Sequence, residues 1–169
     1  MNGALLLLIA LLLLALAVWL QRSTGVPWAP LRYVDTDRWQ RPERPFFSQR
    51  YSMTGKPDYV VQTRRGLIPI EVKPTRTAAT PYDGDVAQLL AYCLLIEDTT
   101  AHAPPYGLLR YRDRTFRVPY TPARRTELIH LLAAMRADEH ATNVARSHQQ
   151  GGRCRGCGFF AVCDDRLRS

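Results

Sequence analysis

From residue 4 to residue 20 every side chain is apolar, a run of 17 that ends in Val18-Trp19-Leu20. No other feature constrains the architecture as strongly, because so long an apolar stretch suits only a bilayer, a signal peptide or the centre of a core. A membrane-spanning helix needs ~20 apolar residues, with a usual lower limit of ~17. A signal peptide has a charged n-region and a small-residue cleavage site. Here Met1-Asn2-Gly3 carries no charged side chain, and Gln21-Arg22 follows Leu20. A helix that is apolar all round is also out of place at the end of a small domain. Residues 1–22 are therefore expected to be an uncleaved, single-pass transmembrane anchor, with residues 4–20 in the membrane. Trp19 falls at its interface, and Arg22, Arg32, Arg38 and Arg41 all follow it, so the positive-inside rule places the C-terminal domain in the cytoplasm.

Residues 23–30, Ser-Thr-Gly-Val-Pro-Trp-Ala-Pro, read as a linker, since two prolines and a glycine oppose both helix and strand. A folded core is expected over 31–149 and a cysteine module over 150–169. Short strands are expected at 47–53, 59–63 and 67–73, with Arg64-Arg65-Gly66 as a hairpin turn, and again at 106–112 and 115–119 around Asp113-Arg114. Two helices share one opening, a capping Thr followed by a Pro, in Thr80-Pro81 and Thr121-Pro122. The first is expected to run to about Glu97. The second is expected to bury Leu128, Leu131, Leu132 and Met135. Strands, helix, strands, helix is the order of a mixed α/β domain.

The chemistry concentrates at the second and third strands. Asp58 opens one and Glu71-Val72-Lys73 closes the next, so an antiparallel pairing brings two carboxylates and an ammonium together. Hard oxygen ligands of this kind suit Mg²⁺ or Mn²⁺, and a bound cation lowers the pKa of water and offsets charge on a phosphodiester. On the following helix Gln88 and Tyr92 share a face with Asp85, while Val86, Leu89, Leu90 and Cys93 point elsewhere. The only lysines, Lys56 and Lys73, both fall within this region of a chain whose other cations are arginines. The net charge of +8 accords with a polyanionic partner.

The succession Gly-Lys-Pro-Asp58-Tyr, Glu71-Val-Lys73 and Gln88-Leu-Leu-Ala-Tyr92 resembles the PD-(D/E)XK nuclease superfamily, in particular its RecB-like, CRISPR-associated exonucleases of iron–sulfur type. The resemblance implies an α/β restriction-endonuclease-like core with a mixed central sheet flanked by helices. It also implies metal ligation by Asp58, Glu71 and the Val72 main-chain carbonyl, a catalytic role for Lys73, and DNA contacts from Gln88 and Tyr92. The chain departs from that family in having no histidine before His102. Asp35, Asp37 or Glu43 are candidates for the missing ligand.

Cys154, Cys157 and Cys163 stand at C-x2-C-x5-C spacing among glycines, an arrangement of soft ligands for an iron–sulfur cluster or zinc. The resembled family takes a fourth cysteine from near its N-terminus, and this chain has none there. His148 is the candidate fourth ligand, and Cys93 reads as a buried core residue. Arg146, Arg153 and Arg155 are expected to form a basic edge for DNA. The leading expectation is a membrane-tethered, metal-dependent DNA nuclease working with CRISPR adaptation or DNA-repair proteins. The alternative is a nucleic-acid-binding or assembly module with the same fold.

Overall fold

A computed structural model describes residues 7, 9–13, 15–16, 39–64, 66–142 and 144–167. The expected anchor lies largely outside these, and the expected linker entirely so. The eight described positions of the apolar run are helical and exposed, and among the described residues no helix is long and apolar enough to cross a membrane. Two compact units make up the chain, Met1–Leu128 and Ile129–Ser169.

In the first unit, β1 (Phe46–Ser48) and β2 (Met53–Gly55) form a small antiparallel pair. The single strand expected over 47–53 is thus two strand segments and the turn between them. The Ser48 hydroxyl causes the break: it accepts the Tyr51 N–H at 3.1 Å and donates to Asp98 at 2.6 Å. Ser52 then takes a positive φ of 41°. A serine that bonds its local backbone competes with extended structure.

The main sheet has the order β3-β4-β5-β6, from β3 (Tyr59–Thr63), β4 (Gly66–Lys73), β5 (Tyr106–Tyr111) and β6 (Thr115–Pro119). These match the expected strands to within a residue. Pairing is antiparallel for β3–β4 and β5–β6 and parallel for β4–β5, which makes the sheet mixed. A parallel pair needs a long crossover, and α1 (Asp83–Thr100) supplies it.

Helix α1 starts two residues later than the Thr80-Pro81 signal indicates. Tyr82 is its N-cap, extended at φ −72° and ψ 141°, and the Tyr82 N–H donates to the Tyr111 hydroxyl at 3.0 Å. That tertiary bond holds the backbone out of the helix and overrides the local cap. Leu89, Leu90, Cys93, Leu94, Leu95 and Ile96 form its buried side, and burying each of the larger ones contributes about 1.5–3 kcal/mol. Gly107 on β5 sets the closeness of this packing, because a Cβ there would lie 2.6 Å from Leu89 Cγ. On the other sheet face Ile68, Ile70 and Leu108 are packed by Trp39, Tyr59, Val61, Val72 and Tyr106.

Helix α2 (Pro122–His140) opens as the sequence indicates, with Thr121 Oγ1 accepting the Arg124 N–H at 3.3 Å. Its expected apolar face is buried only at Leu128. Leu132 is half-buried, and Leu131 and Met135 are 46% and 55% exposed. The heptad-like spacing is present, but the first unit ends at Leu128 and the later apolar positions lie outside it. The second unit also contains α3 (Gly151–Arg155), a single short turn.

Candidate active site

The β3–β4 register builds the site. Tyr59 pairs with Ile70, so the residues one step further, Asp58 and Glu71, meet at the seam where β3 begins and β4 ends. Backbone groups alternate sides along a strand. Ile70 faces β3, Glu71 and Lys73 turn their backbone groups to β5, and Val72 turns its N–H and C=O back to the β3 side. Asp58 takes the place of a ladder partner, its Oδ2 accepting the Val72 N–H at 2.8 Å. The same register sets Pro57 opposite Val72, and proline has no N–H to give. The Val72 carbonyl therefore has no ladder donor from that residue, which leaves a main-chain acceptor beside two carboxylates.

Side-chain alternation places Glu71 and Lys73 on the α1 face. Lys73 Nζ lies 2.8 Å from Glu71 Oε1 and donates to Gln88 Oε1 at 2.9 Å. Gln88 Nε2 in turn donates to the Tyr92 hydroxyl at 2.9 Å. Because an ammonium only donates, the Lys73 contact fixes which way the Gln88 amide points. Gly55 brings the loop before Asp58 against the same helix: a Cβ there would lie 2.9 Å from Tyr92 Cε1. All the residues expected in the site thus come together, with Gln88 bonded within the protein at both ends of its amide.

Electrostatics reflect this crowding. Glu71 is 5% exposed, and burial raises its pKa; the Lys73 hydrogen bond opposes the rise and the Asp58 charge adds to it. Burial works to lower the Lys73 pKa, but Glu71, by hydrogen bond and charge, and then Asp85 hold it above the usual lysine value. Burial also raises the Tyr92 pKa, with further contributions from Glu71 and Asp58. The Asp58 charge that disfavours ionised Glu71 is what a divalent cation relieves. Asp58 is exposed, and with Glu71 and the Val72 carbonyl it offers the all-oxygen donor set that Mg²⁺ and Mn²⁺ take. The residues fit such an ion. Among the described residues no third His, Cys, Asp or Glu joins them in a metal-holding group. Of the proposed substitutes for an upstream histidine, Asp35 and Asp37 lie outside the described residues. Glu43 uses its main-chain oxygen to accept Lys56 Nζ at 3.3 Å.

Sequence reasoning missed an adjoining polar cluster. Asp85, 4% exposed, accepts the Tyr111 hydroxyl at 2.6 Å and Arg76 Nη1 at 2.9 Å. Burial and the Asp85 bond push the Tyr111 pKa up to about 12. Asp85 was visible on the Gln88–Tyr92 face, but Arg76 and Tyr111 come from a loop and a strand that only tertiary structure brings near. A second missed element is a cleft of about 500 Å³ on the outer side of Asp58, lined by Arg41, Lys56, Tyr59 and Val72 among others.

In the second unit Cys154, Cys157, Cys163 and His148 line one cavity of about 610 Å³. All three thiols are free; the Cys154 sulfur accepts the Leu167 N–H at 3.4 Å, and His148 Nδ1 accepts the Gln150 N–H at 3.2 Å. Arg146, expected on an open basic edge, is instead ion-paired with Asp165 at 2.9 Å and donates to the His148 carbonyl at 2.6 Å. A carboxylate and a carbonyl thus occupy the guanidinium. Arg153 and Arg155 are exposed. Cys93 is fully buried, which raises its thiol pKa.

Among known proteins, a family profile described as the PD-(D/E)XK nuclease superfamily matches residues 1–164. No curated protein matches. Among solved structures, the crystal structure of SSO0001 aligns with a TM-score of 0.44 and 20% identity, over 68% of this chain and 52% of that one. The chain therefore spans about half the length of that protein.

Proposed function

Because the chain belongs to the PD-(D/E)XK nuclease superfamily, we propose that it is a deoxyribonuclease that hydrolyses phosphodiester bonds with Mg²⁺ or Mn²⁺. The observation that carries the reading is the meeting of Asp58 and Glu71 at the β3–β4 seam, with Lys73 Nζ 2.8 Å from Glu71. Asp58, Glu71 and the Val72 carbonyl would hold the ion, whose chemistry there would be to lower the pKa of water and offset charge on the phosphate. Lys73 stays cationic beside Glu71 and orients the attacking water or stabilises charge on the phosphoryl oxygens. Gln88 keeps the Lys73 ammonium in place, and Tyr92 closes the hydrogen-bonded line against the backbone of the substrate. The apolar run at 4–20 tethers the domain to the inner face of a membrane. The thiols at 154, 157 and 163 would hold zinc or an iron–sulfur cluster, with His148 the candidate fourth ligand, although among the described residues no three His, Cys, Asp or Glu are placed to hold a metal. An end-directed exonuclease serving CRISPR adaptation or repair is the form of activity that the resembled motifs favour.

The full chain incubated with end-labelled single- and double-stranded DNA and Mg²⁺ or Mn²⁺ is expected to degrade it. Glu71→Ala is expected to lower the rate by about 10²-fold or more, the scale of losing a main electrostatic contributor. No cleavage with either ion, or equal cleavage by Glu71→Ala, sinks the proposal. One observation favours a second reading, a DNA-binding or assembly module: only two acidic side chains meet among the described residues. Salt-sensitive binding without turnover would be its signature.

A further inference from the structure

The cleft beside Asp58 shares Asp58 and Val72 with the site above, but its cations, Arg41 and Lys56, have no part in the chemistry derived there. Its wall carries two cations, Arg41 and Lys56, and a single acid, Asp58. Arg41 is set on the outer edge of β3 by the preceding residue: Gln40 bridges Val60 through two backbone hydrogen bonds of 2.9 and 2.7 Å. The Arg41 guanidinium donates to the Tyr59 hydroxyl at 3.2 Å and lies 5.3 Å from the centre of its ring. Tyr59 is itself packed against Trp39, with ring centroids 5.4 Å apart. Lys56 Nζ is steadied by the Glu43 carbonyl, and the buried Pro57 follows it in sequence. Among the described residues neither cation is in a salt bridge. Among the described residues Arg41 spends one of its five N–H donors inside the protein and Lys56 one of its three. Positioned cations outside any salt bridge, one of them over an aromatic ring, are a means by which proteins grip a nucleic-acid backbone.

We propose that Arg41 and Lys56 form a phosphate clamp that holds the single strand next to the scissile bond, on the side of Asp58 away from Lys73. The proposal deepens the nuclease reading and rests on it for the identity of the polyanion. Glu71 and Lys73 face α1, which carries Gln88 and Tyr92, whereas Asp58 also opens onto the cleft. A phosphodiester at the metal-binding carboxylates thus has the Lys73 line on one side and the clamp on the other. A volume near 500 Å³ falls within the usual range for ligand clefts and has room for part of a strand.

The test is metal-free binding of a short fluorescent oligothymidylate to the full chain across a salt series. Each phosphate contact on a single strand contributes about 0.7 to the slope of log K against log salt. Arg41→Ala with Lys56→Ala is expected to reduce that slope by about 1.4, while Arg41→Lys with Lys56→Arg preserves it. The control pair Arg112→Ala with Arg114→Ala, on the β5–β6 turn, is expected to change it little. In Mg²⁺ the alanine pair's loss should fall on KM more than on kcat. An unchanged slope, an equal drop in the control pair, or no DNA binding by the unaltered chain overturns the clamp. Cleavage with an unchanged slope defeats the clamp alone, and clamp-dependent binding without cleavage defeats the nuclease reading alone.

Discussion

Pro57 shows how much one residue does by what it lacks. Extended one pair beyond Tyr59–Ile70, the register would set residue 57 opposite Val72, where any other amino acid would have an N–H to offer the Val72 carbonyl. Proline cannot make that donation, and β3 pairing stops at Tyr59. Pro57→Ala restores the donor, so a cation must compete with a new hydrogen bond of about 1–1.5 kcal/mol. Mn²⁺ affinity, read by calorimetry on the unaltered and substituted chains, is expected to weaken about ten-fold. Affinity equal to that of the unaltered chain would falsify the role given to the carbonyl. Gln88 illustrates the reverse: the amide expected at the DNA is committed on both sides, to Lys73 and to Tyr92, and acts through them.

At the scale of elements, the placing of α1 decides everything that the helix contributes. Its contact with β5 is so close at Gly107 that three Leu89 atoms lie within 2.6–2.9 Å of where a Cβ would stand. Gly107→Ala must push Leu89, and with it the helix bearing Gln88 and Tyr92. Overpacking of this kind costs about 1–3 kcal/mol. Urea unfolding should show that loss, and Gly107→Ala in a Leu89→Ala background should cost less than the sum of the two, because they share one space. Strict additivity would show that the two residues do not meet. The late start of α1 belongs here too. Thr80-Pro81 is a sound local cap, but the Tyr82–Tyr111 bond and the buried Asp85 cluster draw the first turn to Asp83.

For the whole molecule, the four cysteines divide by environment. Cys93 sits in the core of the first unit with its thiol pKa raised, and Cys157 is exposed in the second. Thiolate fraction and access control alkylation. In the metal-free chain iodoacetamide is expected to label Cys157 readily and Cys93 only on unfolding, as read by peptide mass spectrometry. Loading with zinc or iron and sulfide should then protect Cys157 and Cys163 as well. Continued labelling of both after loading argues against the thiol site and leaves the nuclease site untouched.

Period-two patterning and turn chemistry were enough to place β3 to β6, since each strand is bounded by residues that locally forbid continuing it. The order Asp58, Glu71, Lys73, Gln88, Tyr92 was legible for the same reason: four lie on regular elements and Asp58 directly precedes one, so their spacing implies their proximity. The Ser48 turn, the true start of α1 and the exposure of Leu131 and Met135 were not legible, because each depends on a partner distant in sequence or on where a packed unit ends. The same holds for the Arg76–Asp85–Tyr111 cluster and for the cleft of Arg41 and Lys56. Local chain chemistry determined β3 to β6 and the presence of both long helices, and it singled out the residues that meet at the β3–β4 seam. Tertiary structure alone decided which hydrogen bonds are spent inside the protein and which cations remain for a ligand, because those are properties of side chains meeting across the fold.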